Sequence, residues 1–173
     1  MKQWAKQTGF TIVELLIVIV IIAILASIVI VSYSGIQNRA NDTAVQNDIA
    51  NVAKKLQLYY IDKGVYPDTN VESDVSASLA GFKSSRASYI TNGTNVNLGY
   101  CTNLPERSQF AVIGWSKTSS AKGFYATNNS GVREFNYPIT TGTTACEYAG
   151  IPANRAWMWM YDVNTSGGWR TFI

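Results

Sequence analysis

Glu14 is the residue whose surroundings ask for chemistry. From Phe10 to Val31 the chain is apolar except for Thr11, Ser27 and this one carboxylate. A charge inside a membrane-spanning segment costs a few kcal/mol and usually marks a functional position, so Glu14 is expected to find a cationic partner. Upstream, Met1 to Gly9 is a short polar leader with Lys2 and Lys6, no acid, and a terminal glycine against Phe10. Other chemistry is scarce. The absence of histidine removes the commonest general base and metal ligand. No nucleophile motif, glycine-rich phosphate loop or close carboxylate pair argues for catalysis, so no catalytic residue, metal or cofactor is expected. Cys101 and Cys146 are too few and too widely spaced for a zinc site.

The element that must position Glu14 is a helix. At about 1.5 Å per residue, the stretch from Gly9 to Val31 reaches roughly 33 Å, enough to cross the hydrocarbon core of a bilayer. A second helical pattern follows the Ser32-Tyr33-Ser34-Gly35 break. Val45, Ile49, Val52, Leu56 and Tyr59 recur at spacings of four and three, with Ala53 and Tyr60 beside them, and form one apolar stripe. Asn47, Asp48, Asn51, Lys54, Lys55 and Gln57 are expected on the opposite, polar face. No proline interrupts from Phe10 to Tyr66, so both segments can belong to one helix, with Gly35 as its weak point. The helix should end at Asp62-Lys63-Gly64, before Val65-Tyr66-Pro67.

The basic leader, the Gly9-Phe10 junction, Glu14 shortly after it and the unbroken apolar helix together closely resemble the prepilin signal of type IV pilins and pseudopilins. The phrase Leu58-Tyr59-Tyr60-Ile61-Asp62-Lys63-Gly64-Val65-Tyr66-Pro67 is similar to the helix exit of many members. The resemblance implies an α+β fold, with the long helix packed on a C-terminal antiparallel sheet. It implies cleavage between Gly9 and Phe10 by a prepilin peptidase, N-methylation of Phe10, and a role for Glu14 in assembly and register. Two blander possibilities compete with it. A secretory signal cut at Ala26-Ser27 would have Ile24 at a position that favours small residues, and the apolar run continues past it. A plain single-pass anchor would gain from losing Glu14.

On this division residues 1–9 are a leader, 10–31 the transmembrane and assembly helix, and 32–173 an exported domain of one-domain size. Its helix runs to about residue 62, a connecting region occupies 63–97 with one short helix near Ser73 to Phe82, and the sheet follows from 98 to 173. Strands are expected at Gln109–Trp115, Phe124–Thr127, Val132–Phe135, Trp157–Val163 and Trp169–Ile173, with Asn128-Asn129-Ser130-Gly131 as a hairpin turn. The apolar helix stripe should cover one sheet face. Cys101 should precede the first strong strand and Cys146 should lie in a loop. Behind an export anchor a disulfide between them is the better expectation, the alternative being two free buried thiols. Trp157, Trp159, Tyr161, Trp169 and Phe172 are expected to fill the sheet's core before they form a binding platform.

The formal charge of +3 falls to +1 without Lys2 and Lys6, which is no nucleic-acid-binding pattern. Lys117, Lys122, Arg133, Arg155 and Arg170 are scattered, so DNA or a surface ligand stays an unsupported partner. The resemblance implies other partners: prepilin peptidase, an inner-membrane platform protein, an assembly ATPase, and further copies of the chain. It leaves three outcomes open. The protein is a type IV pilus subunit held in the cytoplasmic membrane and then built into an extracellular filament. Otherwise it is a pseudopilin of type II secretion or DNA uptake, or a monomeric anchored receptor that is never cleaved.

Overall fold

The computed structural model describes residues 9–92, 95–96, 98–117, 122–136, 142–151, 155–160 and 169–171. The chain divides into two compact units, residues 1–37 and 38–173. One helix, α1 (Ile12–Lys63), contributes to both and continues through Ser32 to Gly35.

In the first unit α1 is apolar on every side, and each large apolar side chain from Ile12 to Ile30 is more than half exposed. Its most apolar window has a mean hydropathy of 3.4, long and apolar enough by length and composition to cross a membrane. Ser27 does not spoil this, because its hydroxyl donates to the Ile24 carbonyl at 2.7 Å on the helix's own backbone.

In the second unit the stripe is buried as its spacing predicts: Val45, Ile49, Val52 and Leu56 have no exposed surface. The helix ends where expected, with Gly64 at a φ of +74° and its N–H on the Tyr60 carbonyl at 2.7 Å. Tyr66 then packs edge-on against Phe110, and the buried Tyr100 hydroxyl donates to the Pro67 carbonyl at 3.0 Å. These contacts fasten the helix exit to the sheet.

The connecting region holds α2 (Glu72–Ser78), shorter than the expected Ser73 to Phe82, then a 3-10 turn (Arg86–Ser88). A two-residue hairpin, β1 (Thr91–Asn92) and β2 (Asn95–Val96), was not expected there. The main sheet contains β3 (Leu98–Asn103), β4 (Phe110–Trp115), β5 (Lys122–Thr127), β6 (Ser130–Asn136), β7 (Arg155–Met160) and β8 (Trp169–Thr171). All neighbours are antiparallel, in the order β6-β5-β4-β3-β7-β8. The β5–β6 turn falls where expected but is only Asn128-Asn129, because Ser130 and Gly131 already belong to β6. The last hairpin returns to lie beside β3, a long-range pairing.

Both faces of this sheet are covered, where one was expected. On the first face Leu98, Tyr100, Phe110, Val112, Phe124 and Ala126 join the α1 stripe in one core. Gly114 permits the close approach: a Cβ there would lie 3.3 Å from Ile49 and 3.0 Å from Tyr89. On the second face Cys101, Ala111, Ile113, Trp115 and Phe135 pack with Ala145, Cys146 and Ile151. The last group comes from α3 (Gly142–Tyr148) and the residues after it, a helix where a loop was expected. This explains why all six residues of β3 and of β4 are buried.

Cys101 precedes the Phe110–Trp115 strand as expected and lies on β3, a strand the sequence did not delimit, whereas Cys146 is on α3 rather than in a loop. They form a disulfide with Cα atoms 6.0 Å apart across 45 residues. Closing a loop of that size stabilises the fold by about 4 kcal/mol in the chain-entropy model. The bridge holds α3 on the second face, so a short, threonine-rich helix does not depend on its own propensity.

Candidate functional site

The N-terminal residues singled out by the sequence are built around the start of α1. Gly9 and Phe10 precede the helix, Thr11 flanks it, and Ile12 is the first helical residue. Phe10 is 86% exposed, and nothing lies within 4 Å of the position a Cβ would take on Gly9. The Gly9–Phe10 peptide bond therefore lies outside regular structure. Lys2 and Lys6 lie outside the described residues.

Glu14 has a local task that its charge obscures. Its Oε2 accepts the Thr11 backbone N–H at 2.7 Å and the Thr11 hydroxyl at 2.8 Å. In return Thr11 Oγ1 accepts the Glu14 backbone N–H at 3.3 Å. Thr11-Ile12-Val13-Glu14 is thus a capping box, in which two backbone donors left over at the helix start are satisfied reciprocally. The carboxylate also sits at the positive end of the helix dipole. Oε2 alone holds the cap, and Oε1 accepts no hydrogen bond from the described residues.

The second unit contains an acid that periodicity placed wrongly. Asp48, expected on the polar face of α1, is only 6% exposed. Its Oδ2 accepts the Ser85 backbone N–H at 2.6 Å and the Tyr89 hydroxyl at 3.1 Å, and its Oδ1 accepts the Ser85 hydroxyl at 3.2 Å. Burial pushes this carboxyl above the usual aspartate value, and the three donors only partly offset it. Tyr89 is driven well above the ordinary phenol value, by burial first and then by the Asp48 charge, so it remains a donor. The group anchors α1 to the segment before β1 and has no access to a substrate.

Among the described residues no cluster of three or more His, Cys, Asp or Glu is arranged to hold a metal ion. Lys117 and Arg133 are exposed and belong to different elements. The side chains of Lys122, Arg155, Arg170, Trp157, Trp159, Tyr161, Trp169 and Phe172 lie outside the described residues, and with them the expected aromatic core of the last hairpin. A described aromatic group occupies the second sheet face instead. Phe135 contacts Trp115, Tyr125 and Tyr148 at ring-centroid distances of 5.1 to 5.7 Å, and Tyr148 is half exposed.

Comparison with known proteins places the same N-terminal residues in a family pattern. Residues 4–30 match the family model described as the prokaryotic N-terminal methylation motif. The chain is 32% identical over 122 residues to the type IV wide pilus major component PilA4 of Thermus thermophilus, covering 70% of this chain and 88% of the relative. It is 33% identical over 117 residues to the fimbrial protein EcpC of Eikenella corrodens, covering 68% and 74%. It is 40% identical over 70 residues to the type II secretion system core protein G of Vibrio cholerae, covering 40% and 48%. The chain thus spans about half the length of the secretion-system relatives it matches. No solved structure matches it.

Proposed function

This chain belongs to the type IV pilin and pseudopilin family, and from that premise we propose that it is a structural subunit of a type IV pilus. A prepilin peptidase removes residues 1–9 and Phe10 becomes the N-methylated first residue. The cytoplasmic membrane holds residues 10–31 until the subunit joins an extracellular filament for motility, adhesion or surface attachment. The platform protein and the ATPase implied by the family belong to the same proposal.

The observation that carries this reading is the start of α1. A carboxylate stands at the head of α1, whose stretch from Ile12 to Ile30 is apolar all round and unpacked within its own chain, four residues beyond Phe10 of an exposed Gly-Phe bond. Cleavage there would leave an α-amine on Phe10, cationic near neutral pH. In the membrane each subunit then holds an acid and an amine with no partner from another helix. In a bundle of such helices, the Glu14 of an arriving subunit meets the Phe10 amine of one already placed. Pairing two charges in low dielectric is strongly favoured over leaving either alone, which would select one register. The capping box adds a positional element, because Thr11 holds the Glu14 carboxylate through Oε2 and leaves Oε1 unused by the cap.

A second reading, a pseudopilin of type II secretion or DNA uptake, is favoured by the higher local identity to the secretion proteins. The pilus reading ranks first because the similarity to PilA4 covers 122 residues, more than twice the 52 residues of α1, and so includes part of the exported domain. Mass spectrometry of the N-terminus from native cells tests the shared premise. A chain starting at Phe10 with one added methyl is expected. A chain still starting at Met1 would overturn it.

A further inference from the structure

The second unit carries an open groove between α1 and the β5–β6 turn, with a volume of about 340 Å³. Ala50 and Ala53 on α1 and Val132 on β6 supply apolar surface, and Lys54, Gln57 and Asn129 supply polar groups. We infer that this groove binds a small polyhydroxylated carboxylate, of which a uronic acid is the simplest representative.

Three observations select that chemistry. The first is charge: Lys54 lines the groove and no Asp or Glu does, so the groove carries one positive charge with no internal counter-ion. One ammonium is a point charge suited to one carboxylate. The second is unused hydrogen-bonding capacity. Among the described residues Lys54 and Gln57 make no hydrogen bond or ion pair. Asn129 is held in place, its Oδ1 accepting from Asn128 Nδ2 at 3.0 Å and its backbone N–H donating to Thr127 Oγ1 at 3.2 Å. This leaves the Asn129 amide NH2 available as a donor. A side-chain amide such as Gln57 offers a donor and an acceptor together, the pair needed by adjacent hydroxyls. The third is shape. Ala50 and Ala53 keep the helix wall low and apolar, suited to the C–H face of a ring. The volume is near the small end of the roughly 300–1,000 Å³ typical of ligand pockets, appropriate to one sugar ring.

The test uses the full-length protein, isotopically labelled in detergent micelles, titrated with glucuronate and separately with glucose and acetate. The expected result is saturable change at the backbone amides of Ala53, Asn129 and Gly131 with glucuronate, and weaker binding of both controls. Lys54→Gln is expected to weaken glucuronate binding by roughly tenfold or more, as loss of a charged hydrogen bond does. Lys54 is exposed, so the rest of the spectrum should stay unchanged. Glucuronate changes that fall elsewhere, or that persist unweakened in Lys54→Gln, would overturn the site. Acetate binding as tightly as glucuronate would overturn the sugar assignment.

Discussion

The two ends of α1 both carry large apolar side chains, and those side chains meet opposite fates. Ile19 and Ile22 are more than half exposed, whereas Ile49 and Val52 are fully buried. The difference lies in pattern. From Val45 onward the apolar residues keep to one stripe, and a sheet in the same chain can cover a stripe. From Ile12 to Ile30 they surround the axis, and no single face of the chain's own fold could cover them. Burial of the first end must come from lipid or from other helices of its kind. The comparison teaches that one helix can be folded at one end and remain a binding surface at the other.

The largest expected effect separates charge from geometry at that surface. Glutamine serves in a capping box as glutamate does, so Glu14→Gln should keep the start of α1 while removing the carboxylate's charge. Filaments should be absent from Glu14→Gln and from Glu14→Ala, with the N-terminus still processed in both. Electron microscopy of sheared material and mass spectrometry read the two parts. Normal filaments from Glu14→Gln would mean that only the cap matters, and the pairing with the Phe10 amine would fall.

A smaller effect addresses the comparison directly. Ile49→Ala should destabilise the second unit by about 2–5 kcal/mol, as large-to-small changes in packed cores do. Ile49 also contacts the sheet at Gly114, where little room remains for the wall to relax. Ile19→Ala should leave denaturant unfolding of that unit unchanged, because Ile19 has no core to lose. Equal losses from both would show that the two ends of α1 are not energetically distinct.

What the sequence revealed follows the range of the interactions concerned. The stripe from Val45 to Leu56, the glycine stop at Gly64 and the place of the turn at Asn128 depend on neighbours a few residues away, and all are legible, although the turn is two residues shorter than expected. The covering of the second sheet face by α3 was not, because Gly142–Tyr148 has weak helical signals and is held by a bridge to a residue 45 positions upstream. Nor was the placement of β7 beside β3, since strand order is a long-range property. At the N-terminus Thr11 and Glu14 spell a capping box, but the charge of Glu14 draws attention to distant partners before near ones. Asp48 is the sharpest case. A polar residue beside an apolar stripe reads as solvated, and only donors from Ser85 and Tyr89 make its burial tolerable.

Those donors frame the smallest effect, which again sets a buried site against an exposed one. An asparagine at position 48 can accept from Ser85 N–H and Tyr89 through Oδ1 and donate from Nδ2 to the Ser85 hydroxyl. Asp48→Asn should therefore be close to neutral, while Asp48→Leu, which strands those donors, should cost about 1–3 kcal/mol. The pH dependence distinguishes charge from hydrogen bonding. Burial holds the Asp48 carboxyl above its ordinary value, so just above that value the folded protein binds more protons than the unfolded chain. Stability from this group is then greatest in acid and falls as pH rises through the window between the ordinary and the raised values. Asparagine has no such slope. Unfolding midpoints of the two proteins, compared from about pH 3 to pH 7, should move in favour of Asp48→Asn as pH rises through that window. Movement the other way would mean that the three donors outweigh burial, and that Asp48 is stabilised as an anion inside the fold.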